Sequence, residues 1–161
     1  MADAAARLIK VCTEKGLTFG TAESLTGGMI AAEVASVSGA SAVLMGGVVA
    51  YDPRIKRDVL GVERDVIDRD GVVSANCARQ MAQGARRVLG VDIAVSATGV
   101  AGPAGGTPEI PVGTVLIGCA GPDGTRVDEC HFEGNRQQVR QQTMQHALHM
   151  ALAAAGADDF E

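Results

Sequence analysis

The chain predicts an α/β fold: a three-layer α/β/α sandwich built on a five-stranded, mostly parallel mixed sheet. Three observations carry that expectation. Strand-length apolar segments alternate with helix-length segments of 3.6-residue periodicity, the order that builds parallel strands with crossover helices. Glycines close several of the periodic segments, as expected where the chain leaves a helix in the left-handed conformation. Late in the chain, Gly121-Pro122-Asp123-Gly124 joins two apolar stretches and predicts one antiparallel hairpin.

Taken in order, residues 3–15 carry apolar positions at helical spacing and stop at Gly16. Residues 17–24 read as a short strand, 27–39 as a small-residue helix ending at Gly39, and 42–51 as a buried strand with glycines at its centre. Asp52 then caps a short helix with Pro53 in its first turn, ending at Gly61. Residues 62–73 are charged and are expected to be irregular. A capped helix over 74–90 places Ala78, Met81, Ala82, Ala85 and Leu89 on one face. Residues 92–99 form the next strand, and a Gly/Pro-rich loop follows to 111. The hairpin spans 112–134, with Cys119 opposite Arg126. A long helix from Asn135 to about 155 turns Val139, Thr143, Ala147, Met150 and Ala154 inward, and the tail 156–161 is expected to fray. No linker or repeat divides the chain, so residues 1–161 are expected to form one domain.

Composition narrows the function. The 161 residues are 47% apolar with a net charge of −5, enough apolar material for a real core and no basic footprint for nucleic acid. One Tyr, three Phe and no Trp leave few stacking platforms for single strands. No apolar run reaches membrane-spanning length, and Asp3, Arg7 and Glu14 interrupt any secretory leader, so a cytoplasmic protein is expected. The four cysteines have no close pair and read as reduced, mostly buried small hydrophobes. His146 and His149 lie one helical turn apart without nearby acidic or cysteine partners, so no metal site is expected there.

In sheets of this kind, ligands gather at the carboxyl ends of parallel strands, where loops enter helix N-termini. Three polar or glycine-rich segments fall at such ends: 23–28, 51–56 and 98–109. The first, Glu23-Ser24-Leu25-Thr26-Gly27-Gly28, reads either as a helix cap or as a serine beside backbone amides able to hold an oxyanion. The second ends a strand at Tyr51 and sets Lys56 in the first turn of a helix. There the dipole and the neighbours Arg54 and Arg57 should lower its pKa toward that of a general base; a solvated surface lysine is the alternative. The third exposes glycine amides that can cradle a phosphate or carboxamide, and a plain connecting loop is its alternative. Arg136 and Arg140 share one face of the last helix, as an anion clamp or as a solvated surface.

Read together, residues 22–28, 46–56, 84–115 and 132–140 resemble, in order and spacing, the CinA C-terminal domain family, over roughly residues 5–153. The family includes nicotinamide-nucleotide amidases, which convert nicotinamide mononucleotide to nicotinate mononucleotide and ammonia. The resemblance implies a stand-alone form without the N-terminal nucleotide-processing domain, acting without metal or cofactor, as a homodimer or larger assembly. It assigns catalytic roles to Ser24, Tyr51 and Lys56. The substrate would lie against Thr26, Gly27, Gly28, Gly47, Thr98, Gly99, Gly102, Gly105, Gly106 and Thr107, with Arg136 and Arg140 as counter-charges. The base would be Lys56 acting directly or through Tyr51. The chain departs from the family at Leu25, at Asp52-Pro53 and at Ile110, the last standing where a lysine is common. Two rival readings are a non-catalytic nucleotide-binding module of the competence/damage-inducible type and an amidase for another small carboxamide.

Overall fold

The computed structural model describes residues 3–157. The chain runs α1 (Ala4–Lys15), β1 (Phe19–Glu23), α2 (Met29–Ala35), β2 (Leu44–Val49), α3 (Pro53–Asp58), α4 (Arg64–Asp70), α5 (Ala75–Leu89), β3 (Ile93–Gly99), β4 (Thr114–Gly121), β5 (Gly124–His131) and α6 (Arg136–Ala154). The strand order is β2-β1-β3-β4-β5. β1 pairs parallel with both β2 and β3, while β4 is antiparallel to β3 and to β5, so four of the five strands point the same way. Cys119 sits opposite Arg126, as the turn predicts.

Alternation along the strands divides the core into two layers. Phe19, Ile93, Val95, Ala97, Val115 and Ile117 face α1, α2 and α6. Ala22 and Ala94 face Met81, Ala85 and Leu60 on the side of α5. Helix caps follow the local chemistry: Asp3, Asp52 and Ser74 accept an amide from the first turn of α1, α3 and α5. Asn135 and Gln138 complete a capping box on α6.

Four expectations change. Residues 62–73 are not irregular: they contain α4, which Val62 and Val66 anchor on α5 as buried apolar residues among charges. β2 is not a buried strand but the sheet's edge, with Met45 and Val49 exposed. α2 is shorter than predicted, and a 3-10 turn at Ala40–Ala42 completes the passage to β2. Gly156 and Ala157 do not fray, since their amides bond Ala153 and Leu152 carbonyls; residues 158–161 of the predicted tail lie outside the described residues.

Gly84 sets how closely the α3–α4 connection approaches α5. A Cβ there would overlap the carbonyl oxygen of Leu60, a backbone atom that cannot swing aside. In an open helix, Gly→Ala stabilises by about 1 kcal/mol. Here overpacking reverses the sign, and Gly84→Ala is expected to cost about 1–3 kcal/mol. Urea unfolding should show a lower midpoint with an unchanged slope.

Candidate active site

β1 ends at the crevice between β2 and β3, where the strand order reverses and loops leave three carboxyl ends. Ser24 is the next residue. Its amide donates to the Ala97 carbonyl at 2.9 Å, while Ala50 donates to the Glu23 carbonyl at 2.8 Å, so ladders on both sides hold the backbone. Period-2 alternation then sends Glu23 and Ser24 to opposite faces.

Glu23 faces α2. Its buried carboxylate accepts from the amides of Ile30 at 2.8 Å and Ala31 at 3.0 Å, and from the Thr21 hydroxyl at 3.0 Å. Those are the orphan donors of the α2 N-terminus. The capping role considered for Ser24 therefore belongs to Glu23, and the serine hydroxyl is left for other work. Sequence reading missed this residue, although a glutamate beside a glycine-rich helix start was the available signal.

Ser24 faces Lys56, the product of the Asp52-capped α3. Lys56 is 1% exposed and its Nζ lies 3.0 Å from Ser24 Oγ. The same nitrogen donates to the carbonyls of Ala50 at 2.8 Å and Tyr51 at 3.1 Å. As an amine, Lys56 uses both N–H bonds on these carbonyls and is left with its lone pair for the Ser24 O–H. Burial pushes the Lys56 ammonium below the usual lysine range, against opposing pulls from the nearby Cys77 thiol and Asp52 carboxylate. The lowered pKa was anticipated, but its cause was not. Arg54 and Arg57 are bonded to Asp58 on the surface, and desolvation does the work.

The wall facing this pair comes from the glycine-rich loop. A cavity of about 290 Å³ is lined by Ser24, Leu25, Tyr51, Lys56, Val72, Val73, Thr98–Gly102, Ala104, Gly105 and Arg136, with no carboxylate among them. Tyr51 is 59% exposed, and its hydroxyl accepts from Arg136 at 3.1 Å. Arg136 also donates to the Gly102 carbonyl at 2.8 Å, tying α6 to the loop. Thr98 spends its hydroxyl on the Val72 carbonyl at 2.8 Å, holding the apolar wall in place.

Other expected contacts fall elsewhere. Thr26, Gly27, Gly28, Gly47, Gly106, Thr107 and Arg140 do not line this cavity. Gly47 lies within β2, where a Cβ would come 2.5 Å from Thr21 Oγ1, so it makes room for the Glu23 network. Thr107 and Ile110 close a turn on each other, through Thr107 N to Ile110 O at 2.9 Å and Ile110 N to Thr107 Oγ1 at 3.0 Å; Ile110 is likewise outside the lining. Arg140 grips backbone carbonyls of the serine turn. Among the described residues, no three His, Cys, Asp or Glu side chains group to hold a metal. His146, expected without an acidic partner, pairs with Asp128 at 2.8 Å.

The fold and the crevice define an α/β protein with a buried serine–lysine pair at its topological switch point. The model described as "CinA C-terminal domain" matches residues 1–155. The chain belongs to the CinA C-terminal domain family. It is 47% identical over 142 residues to a CinA-like protein of Citrifermentans bemidjiense, covering 88% of this chain and 34% of that protein. A CinA-like protein of Anaeromyxobacter dehalogenans is 49% identical over 132 residues, covering 82% and 32%. The chain thus spans about a third of the length of these relatives. Among solved structures, it is similar to the competence/damage inducible protein CihA from Agrobacterium tumefaciens. That match has a TM-score of 0.92 and 39% identity, covering 94% of this chain and 93% of that one. Among the described residues no helix is long and apolar enough to cross a membrane.

The sign of the Lys56 effect on stability follows from its lowered pKa. Between that value and about 10.4 in the unfolded chain, the unfolded state binds more protons, so this contribution to stability rises with pH. Lys56→Met removes the dependence. The difference in Tm, Met variant minus wild type, should therefore fall as pH rises through that window, measured by calorimetry at matched ionic strength.

Proposed function

We infer that the chain is an amidase that deamidates nicotinamide mononucleotide through a serine nucleophile. The observation that supports this most is Lys56 Nζ, desolvated and 3.0 Å from Ser24 Oγ, with its N–H bonds already directed at two carbonyls. Lys56 takes the Ser24 proton as Oγ attacks the carboxamide carbon. It returns that proton to the departing nitrogen, which leaves as ammonia. Water then cleaves the nicotinoyl ester, with Lys56 again as base, and Ser24 is restored.

The developing oxyanion falls to the amide of Leu25, which lines the cavity in the turn closed by Gly27 N on Ser24 O at 3.0 Å. That amide has no acceptor among the described residues. A well-aimed donor of this kind contributes about 3 kcal/mol to the transition state. Val72 and Val73 offer an apolar wall for the pyridine ring, and Arg136 offers further N–H bonds for the phosphate at the cavity mouth. Tyr51, bonded to Arg136, acts in this scheme on the arginine rather than as a relay between Lys56 and Ser24. The reading includes a cytoplasmic protein and a homo-oligomer.

Ammonia release from nicotinamide mononucleotide tests the scheme. Wild type should turn over, and Ser24→Ala and Lys56→Met should each lose roughly 10³-fold or more in kcat. Activity should fall as pH drops through the lowered Lys56 pKa, because protonation removes the base. Absence of turnover by wild type removes this substrate and favours a binding module or another carboxamide, and full activity in Ser24→Ala removes the nucleophile.

A further inference from the structure

Arg136 and Arg140 lie one turn apart on α6, yet their guanidiniums meet different things. Arg136 reaches the cavity. Arg140 passes beneath the serine turn, where Nε donates to the Leu25 carbonyl at 2.8 Å and an Nη donates to the Thr26 carbonyl at 3.1 Å. We propose that Arg140 is a positioning residue: by holding these two carbonyls it fixes the turn that sets the Ser24 hydroxyl and the Leu25 amide against the cavity.

The geometry follows from the planar trans peptide. In the unit joining Leu25 to Thr26, fixing the carbonyl fixes the whole peptide plane, and with it the turn that carries Leu25. The next unit is held the same way, and its N–H is already closed onto Ser24 O. The turn needs such a clamp. Gly27 and Gly28 have φ of +57° and +104°, a backbone that has no side chains to brace it. The hydroxyl of Thr26 is buried and has no hydrogen-bond partner among the described residues, so it does not anchor the turn either. A guanidinium spans two successive carbonyls in a way a lysine ammonium does not.

The catalytic part of this proposal rests on the amidase reading; the clamp itself does not. Two measurements on the full chain keep them apart. In Arg140→Gln, hydrogen exchange of the peptide covering residues 24–28 should be at least several-fold faster than in wild type. In the same variant, kcat for ammonia release should fall roughly 10–100-fold with KM within about twofold, the signature of lost alignment rather than lost binding. Arg140→Lys, which keeps the charge and one contact, should recover part of kcat and guards against a folding defect, with Tm followed for both variants. Arg136→Gln should instead raise KM. Unchanged exchange in Arg140→Gln overturns the clamp, and a raised KM with unchanged kcat makes Arg140 a substrate ligand and overturns the positioning role. If wild type releases no ammonia, the amidase reading fails, and exchange alone decides whether Arg140 holds the turn.

Discussion

A lysine nitrogen kept out of water governs the organisation of this molecule. Lys56 is buried where an ammonium is costly, and three oxygens meet its nitrogen: two main-chain carbonyls and the Ser24 hydroxyl. Each of those oxygens depends on a different part of the fold. The Ala50 and Tyr51 carbonyls end the edge strand β2, whose register against β1 is set by Ala50 N on Glu23 O. Ser24 is held from the other side by β3. Lys56 comes from α3, and the segment after it packs onto α5 at the one point, Gly84, where no side chain intervenes. Three parallel strands and two helices must all be in place before the nitrogen has its partners.

A second constraint acts on the same stretch from the opposite face. The α2 N-terminus has amides to satisfy and no side-chain cap of its own at Gly28. Glu23 supplies the acceptor by reaching seven and eight residues along the chain. Because strand side chains alternate, placing Glu23 toward α2 commits Ser24 to the Lys56 side. One residue of register separates a helix cap from a candidate nucleophile. A slip of β1 by one position would exchange them and destroy both.

Much of this was legible in the residues because it is local. Glycine stops bound the helices between the strands, the Gly121–Gly124 turn marks the hairpin, and the Asp52-Pro53 pair marks α3. Ser24 and Lys56 stood out through their places at strand and helix ends. The unread parts are long-range. Nothing near Lys56 in the chain announces burial, since the residues that exclude water from it lie on other elements. α4 looks irregular because a short helix with two apolar anchors has too little periodicity to register. β2 has the composition of a buried strand, and only the sheet order makes it an edge. Arg140 grips carbonyls 114 and 115 residues away, a contact that no local pattern encodes.

The two arginines show how one helix serves both sides of a crevice. The capping box at Asn135 fixes where α6 begins, and therefore which residues face the loops of β1 and β3. Arg136, in the first turn, extends to Gly102 and Tyr51 at the solvent edge. Arg140, one turn deeper and part-buried, meets the Ser24–Gly28 turn from beneath. A helix start displaced by a single residue would rotate both side chains by about 100° and lose both contacts. The last helix thus ties the glycine-rich loop and the serine turn to one rigid body. That coupling lets two loops, each rich in glycine and weak in its own conformational preference, present a single shaped cavity.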